Sequence, residues 1–170
     1  MVGANYLKEC LSKYDYEVIV ENSDFKKYRD QNGYTYNDSY VVSKFFIEEA
    51  IKKYGKFDLI IDFHRDSIAR DLCVSTIDEQ NYAKMMFVVA GSSKFHDQVE
   101  KLCNQYYHWI NEQKMGIMRN VYVRKEAYYN QFIQENMILV ECGSDQNYFE
   151  EVKNSLQYLA MAIHEGWSKE

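Results

Sequence analysis

The chain has 170 residues, 46% of them hydrophobic and 16% aromatic, and a formal net charge of -6. That length suffices for one domain with its own core and is too short for two, and the composition excludes a disordered chain. Acidic and basic residues are mixed along the sequence, so no basic face is offered and nucleic acid is excluded as a partner.

In chain order, residues 3–14 read as a helix, with Tyr6, Leu7, Cys10, Leu11 and Tyr14 on one side. Tyr16 to Val20 reads as a short strand, followed by a polar, tyrosine-rich loop over 21–37. Asp38 or Ser39 caps the next helix, which runs to about Tyr54 with Val42, Phe45, Phe46 and Ala50 turned inward. Phe57–Phe63 is strand-like, bounded by Gly55 before it and by His64-Arg65-Asp66 after it. Asp71–Ile77 and Ala83–Ala90 read as a hairpin joined by the turn Asp78–Asn81. Lys94 to about Lys114 carries the clearest helical stripe: Phe95, Val99, Leu102, Cys103, Tyr106, Trp109 and Ile110. A strand over Ile117–Arg124 follows. Met137–Glu141 is a short apolar run ending at Cys142-Gly143-Ser144, and Phe149–Glu165 closes the chain as a helix. Alternating helices and strands, with nearly continuous apolar strands at 57–63 and 137–140, predict an α/β fold whose sheet is covered on both faces.

The four cysteines (Cys10, Cys73, Cys103, Cys142) form no CxxC pair, which argues against a disulfide framework and excludes a cysteine zinc knuckle. There is no apolar run of about 18 residues and no basic-then-apolar start, so neither a membrane span nor a signal peptide is expected. Read literally, such a chain stays in the cytoplasm. With no proline anywhere, turns fall to Gly, Asn, Asp and Ser.

In open α/β sheets ligands sit beyond the carboxyl ends of strands. Two such ends carry His64 and Glu141. A neutral imidazole can ligate a metal while a carboxylate, here Asp62, fixes the ring through its other nitrogen. It can equally be a histidine hydrogen-bonded at a strand end. Glu141, after apolar residues and before a short turn, suits a general base of raised pKa, or is the exposed end of a strand. His96, His108 and His164 read as packing or surface residues. His64-Arg65-Asp66 also spells the start of a kinase catalytic loop, but the required asparagine would fall at Asp71, and no glycine-rich loop or DFG exists.

Taken in order, five segments resemble the stage II sporulation protein P family of N-acetylmuramoyl-L-alanine amidases. They are Asn37–Ser43, Asp62–Asp66, Met85–Ala90, Val121–Arg124 with Tyr129-Asn130-Gln131, and Val140–Gly143. The resemblance spans essentially the whole chain. It implies a mixed, mostly parallel sheet flanked by helices in one amidase-like catalytic domain over residues 1–170. It also implies zinc as cofactor, with His64 as a ligand and Glu141 as the catalytic glutamate. Arg65 and Asp66 match the family pattern and are expected to shape the site; Asp62 would orient His64, and Tyr36, Tyr40, Tyr129 and Asn130 would line the substrate groove. The reaction implied is hydrolysis of the amide between N-acetylmuramic acid and the L-alanine of the stem peptide, with peptidoglycan as substrate and stage II sporulation protein D as a partner. The family is membrane-anchored and extracytoplasmic.

This chain departs from that pattern. The family's first strand ends in a His-x-Thr-His-type motif followed closely by a glutamate, and nothing like it precedes Gly3. The expectation is therefore a domain incomplete at its N-terminus, lacking an inner strand and the first zinc ligands, which leaves neighbouring backbone groups unpaired. The alternatives are a degenerate, zinc-free domain that binds peptidoglycan or a partner, and an unrelated α/β interaction module.

Overall fold

A computed structural model describes residues 2–167 of the chain. The first helix, α1 (Val2–Leu11), buries Leu7, Cys10 and Leu11, spaced three and four apart so that they fall on one face. A 3-10 turn, Ser12–Tyr14, completes the stretch expected to be helical. Residues 16–20 pair with no strand, against the expectation. A strand exists only through a ladder partner, and cavities separate this segment from the nearest strand edge. The polar loop expected over 21–37 contains a helix, α2 (Phe25–Gln31), started by the Asp24 carboxylate accepting the Lys27 N–H at 2.9 Å. Its Phe25 and Tyr28 rings stack on Phe46 and Phe45 of α3 (Ser39–Tyr54). Gly55, at φ 88°, ends α3 in a conformation that L side chains rarely adopt.

The main sheet has four strands in the order β1 (Ile60–Asp66), β6 (Met137–Ser144), β4 (Met85–Ala90) and β5 (Met118–Arg124). β1 with β6 and β4 with β5 are parallel, while β4 and β6 run antiparallel. The sheet is thus mixed and mostly parallel, as expected. The expected hairpin is corrected in detail. Its arms are β2 (Val74–Ile77) and β3 (Gln80–Ala83), a separate two-stranded sheet closed over Asp78 and Glu79, both with positive φ. Two left-handed residues are what a tight two-residue hairpin requires. The chain then steps through Lys84, which bonds to Cys73 and Gly143, before entering β4.

One face of the main sheet is sealed. Ile61 and Phe63 of β1, Ile138 and Val140 of β6, and Phe87 and Val89 of β4 pack under α1, α4 (His96–Gln113) and α5 (Phe149–Trp167). Tyr106, Ile110, Leu156 and Leu159 are wholly buried there. On the other face Met137, Leu139 and Val88 are buried as well, while His64 and Glu141 remain half-buried, so the sheet is covered on both faces except around these two side chains. Where β4 and β6 diverge past Val88, the Gln131 side chain takes over as hydrogen-bond partner, accepting from the Ala90 N–H at 2.7 Å and donating to the Val88 carbonyl at 2.9 Å. All four cysteines are buried free thiols. Among the described residues no helix is long and apolar enough to cross a membrane.

Candidate functional site

His64 and Glu141 lie inside their strands rather than just beyond them, because β1 and β6 each run past the expected end. The parallel register sets His64 directly beside Glu141, and Asp62 beside Leu139. Paired residues of adjacent strands share a face, and alternation puts this row opposite the sealed core. Both side chains therefore stand on the open face. A register shift follows between His64 and Asp66, so Asp66 comes level with Ser144.

His64 Nε2 lies 2.9 Å from Asp62 Oδ1, with the imidazole 40% exposed. That bond, helped by the charges of Asp62 and Glu141 and opposed by burial, raises the imidazole above its ordinary value. Glu141 is half-buried and its Oε2 is enclosed without a hydrogen-bond partner. Burial, with the nearby Asp66 and Asp62 charges, pushes its carboxyl up, against the pull of His64 and Arg119. A buried carboxyl with one free oxygen is suited to taking and returning a proton.

The remaining expected residues divide. Asp66 accepts from Arg119 Nη2 at 2.8 Å and from the Ser67 N–H at 2.8 Å, at the margin of the open face. Arg65 points the other way. Its guanidinium donates to the Ser144 carbonyl and, at 2.7 Å, to the Asn147 carbonyl, pinning β1 to the turn between β6 and α5. Tyr129 and Asn130 have φ of 43° and 57°. That left-handed pair lets Asn130 donate to the Tyr40 carbonyl and to Ser43 Oγ, while the Tyr129 ring rests 5.4 Å from Tyr40. Tyr40 is held close enough to Asp62 and Glu141 for their charges to raise its phenol further, on top of burial. Tyr36 is not gathered in: it is 82% exposed, under Arg29.

Arg119 is the residue that sequence reasoning missed. It follows the core-facing Met118 on β5 and so turns to the open face, where its charge reaches Glu141. A lone arginine more than fifty residues from His64 carries no spacing signal. His96 pairs with Glu100 at 3.3 Å and His164 stacks on Tyr14 at 4.2 Å, both away from the site.

The donors present can be tested against zinc. A catalytic zinc takes three protein ligands as a rule. Here one imidazole stands beside two carboxylates, its Nε2 is engaged by Asp62, and among the described residues no group of three His, Cys, Asp or Glu is arranged to hold a metal ion. As they stand, these side chains do not fit zinc.

No solved structure matches the chain. Stage II sporulation protein P of Bacillus subtilis (strain 168) is 25% identical over 152 residues, covering 87% of this chain and 38% of that protein. This chain therefore spans well under half of that relative's length. The family model described as Stage II sporulation protein P (SpoIIP) matches residues 1–164. With nearly the whole sequence matched, the chain belongs to the stage II sporulation protein P family.

Proposed function

We propose that this chain forms most of a peptidoglycan hydrolase domain that cuts the amide between N-acetylmuramic acid and the L-alanine of the stem peptide during sporulation-related wall remodelling. The observation that carries this reading is the pairing of His64 with Glu141 across two parallel strands on an open face, with one Glu141 oxygen enclosed and unbonded. Glu141 would take a proton from the attacking water as its oxygen bonds to the lactyl carbonyl carbon. It would return that proton to the alanine nitrogen as the carbon–nitrogen bond breaks. Arg119 and Asp66 would hold the far side of the cleft, and Tyr40, Tyr129 and Asn130 its α3 side, against glycan or peptide.

Zinc is the cofactor this reading calls for. Because the donors of residues 2–167 do not complete a site, the remaining ligands would have to come from another segment. A second reading, a zinc-free domain that binds peptidoglycan, is favoured by one feature: Asp62 already engages the His64 nitrogen.

The test is zinc calorimetry with muropeptide release from purified sacculi. Residues 1–170 alone are expected to bind zinc more weakly than about micromolar and release nothing, since affinity needs several ligands held together. Joined to a first strand of the His-x-Thr-His type that the family resemblance implies, they are expected to bind zinc and release stem peptide. Wall binding without release by the joined chain would establish the second reading instead.

A further inference from the structure

We infer that Tyr122, Arg124 and Tyr129 form a sugar subsite at the β5 end of the open face, holding the glycan strand a few rings away from the bond to be cut. The identity of this ligand rests on the hydrolase reading, and the test below separates the two.

The sheet register lays out the distance. Asp62 pairs with Leu139, Leu139 with Val88, and Val88 with Tyr122, so these four residues stand in one row on the open face. Three strand spacings put the Tyr122 backbone about 14 Å from that of Asp62. Leu139 and Val88 are buried, whereas Tyr122, on the edge strand, is 48% exposed.

An exposed tyrosine on an edge strand is ordinary by itself. Here a line of phenols leads to it from the cleft. Tyr40 stands close enough to Asp62 and Glu141 to feel their charges, and its ring is 5.4 Å from that of Tyr129. The Tyr129 hydroxyl accepts from Arg124 Nη1 at 3.1 Å. Arg124 lies two residues along β5 from Tyr122, and therefore on the same face. The line is held against resistance. Tyr129 and Asn130 are consecutive residues with positive φ, a conformation that a tyrosine adopts only against steric opposition. Asn130 ties the pair to α3 through the Tyr40 carbonyl and Ser43 Oγ. Backbone strain of this kind concentrates where a fold must hold a ligand.

The chemistry of the ligand follows. A β-linked pyranose chain has flat faces of C–H bonds and edges of hydroxyl and acetamido groups. The slightly positive C–H faces rest on the negative faces of aromatic rings, while phenol and guanidinium N–H and O–H groups reach the polar edges. Arg124 spends one N–H on Tyr129 and is otherwise exposed. Tyr40, Tyr129, Arg124 and Tyr122 include no carboxylate; Asp66 and Glu141 lie at the cleft end, near Arg119. An uncharged glycan backbone therefore fits along the phenols, and the charged stem peptide is left to the Arg119 side.

The probe is a soluble β-linked oligomer of N-acetylglucosamine, which has the glycan backbone and no peptide, added to the metal-free 170-residue chain. Binding is followed by fluorine NMR of fluorotyrosine-labelled protein, with signals assigned through single Tyr→Phe variants. Expected are saturable shifts at Tyr122 and Tyr129. Tyr122→Ala should weaken binding roughly tenfold and Tyr122→Phe should keep it, because the ring face carries the stacking. The ring is on the surface, so its loss leaves the core intact. The inference is overturned if the oligomer does not bind, if Tyr122→Ala leaves its affinity unchanged, or if a sugar-free stem peptide shifts these two rings instead. Stem-peptide release by the joined chain judges the hydrolase reading separately. Release without oligomer binding would keep that reading and sink this inference; oligomer binding at Tyr122 without release would do the reverse.

Discussion

The two faces of the main sheet are made by the same strands and do opposite things. On the sealed face every other residue is apolar and packs against three helices, and burial pushes the thiols there, Cys103 and Cys142, up out of the range in which they would ionise. On the open face the apolar Met137, Leu139 and Val88 give way to Asp62, His64, Glu141 and Arg119, and the carboxyl of Glu141 is left with an unmet oxygen. The difference teaches that β1 and β6 are held rigid by one face while the other carries the candidate site. An unsatisfied buried group is destabilising; the core on the other side is what allows it to persist.

The largest expected effect breaks the open face alone. Glu141→Gln, in a chain competent for hydrolysis, is expected to lower muropeptide release about 10²–10⁴-fold, the usual worth of a general base. Its melting temperature should hold or rise, since the amide is cheaper to bury than the carboxylate. Equal loss of activity and of stability would erase the division between the faces. Phe87→Ala strikes the sealed face, where the ring is wholly buried. It is expected to cost about 3–5 kcal/mol in urea unfolding.

A third prediction concerns pH at the edge of the core. Glu151 is buried, which by itself would raise its carboxyl, but bonds from Arg70, Asn147 and the Tyr148 N–H hold it below its ordinary 4.5. A carboxyl depressed in the folded state stabilises fully above about 4.5, and that stabilisation is lost as pH falls through the lower folded value. Melts taken from about pH 6 down to about pH 3 should show this loss, and Glu151→Gln should flatten it. Smallest is Asp24→Ala, expected to cost about 1 kcal/mol through the α2 cap, with no change in activity.

What could be read in advance follows the strength of local pattern. The strands of β1 and β6 were visible as apolar runs, and α4 and α5 as stripes of period 3.6, because deep burial demands such regularity. Helix α2 was hidden because seven residues are too few for a period; only Asp24, three residues before the N–H it caps, marked it. The step at Lys84 between β3 and β4 was invisible, since Tyr82 and Ala83 at the end of β3 run on into the apolar β4 with one lysine between them. The antiparallel pairing of β4 with β6 is decided by tertiary packing, which local patterning does not encode. Within the site, His64 and Glu141 were legible from their strands. Arg119 was not, because its place is fixed by strand order rather than by neighbours in the chain.

The register that sets His64 beside Glu141 also has a history in time. Ile60 finds its partner in Met137, 77 residues later. At the usual pace of synthesis, about 5–20 residues per second, the ribosome needs roughly 4–15 s to make that stretch. Throughout that interval β1, with Ile60, Ile61 and Phe63, waits without its partner β6, and long-range pairing of this kind is intrinsically slow and exposed to aggregation. The nascent chain therefore passes through a window in which its earliest strand is most in need of a chaperone, and that window closes only when β6 has left the exit tunnel.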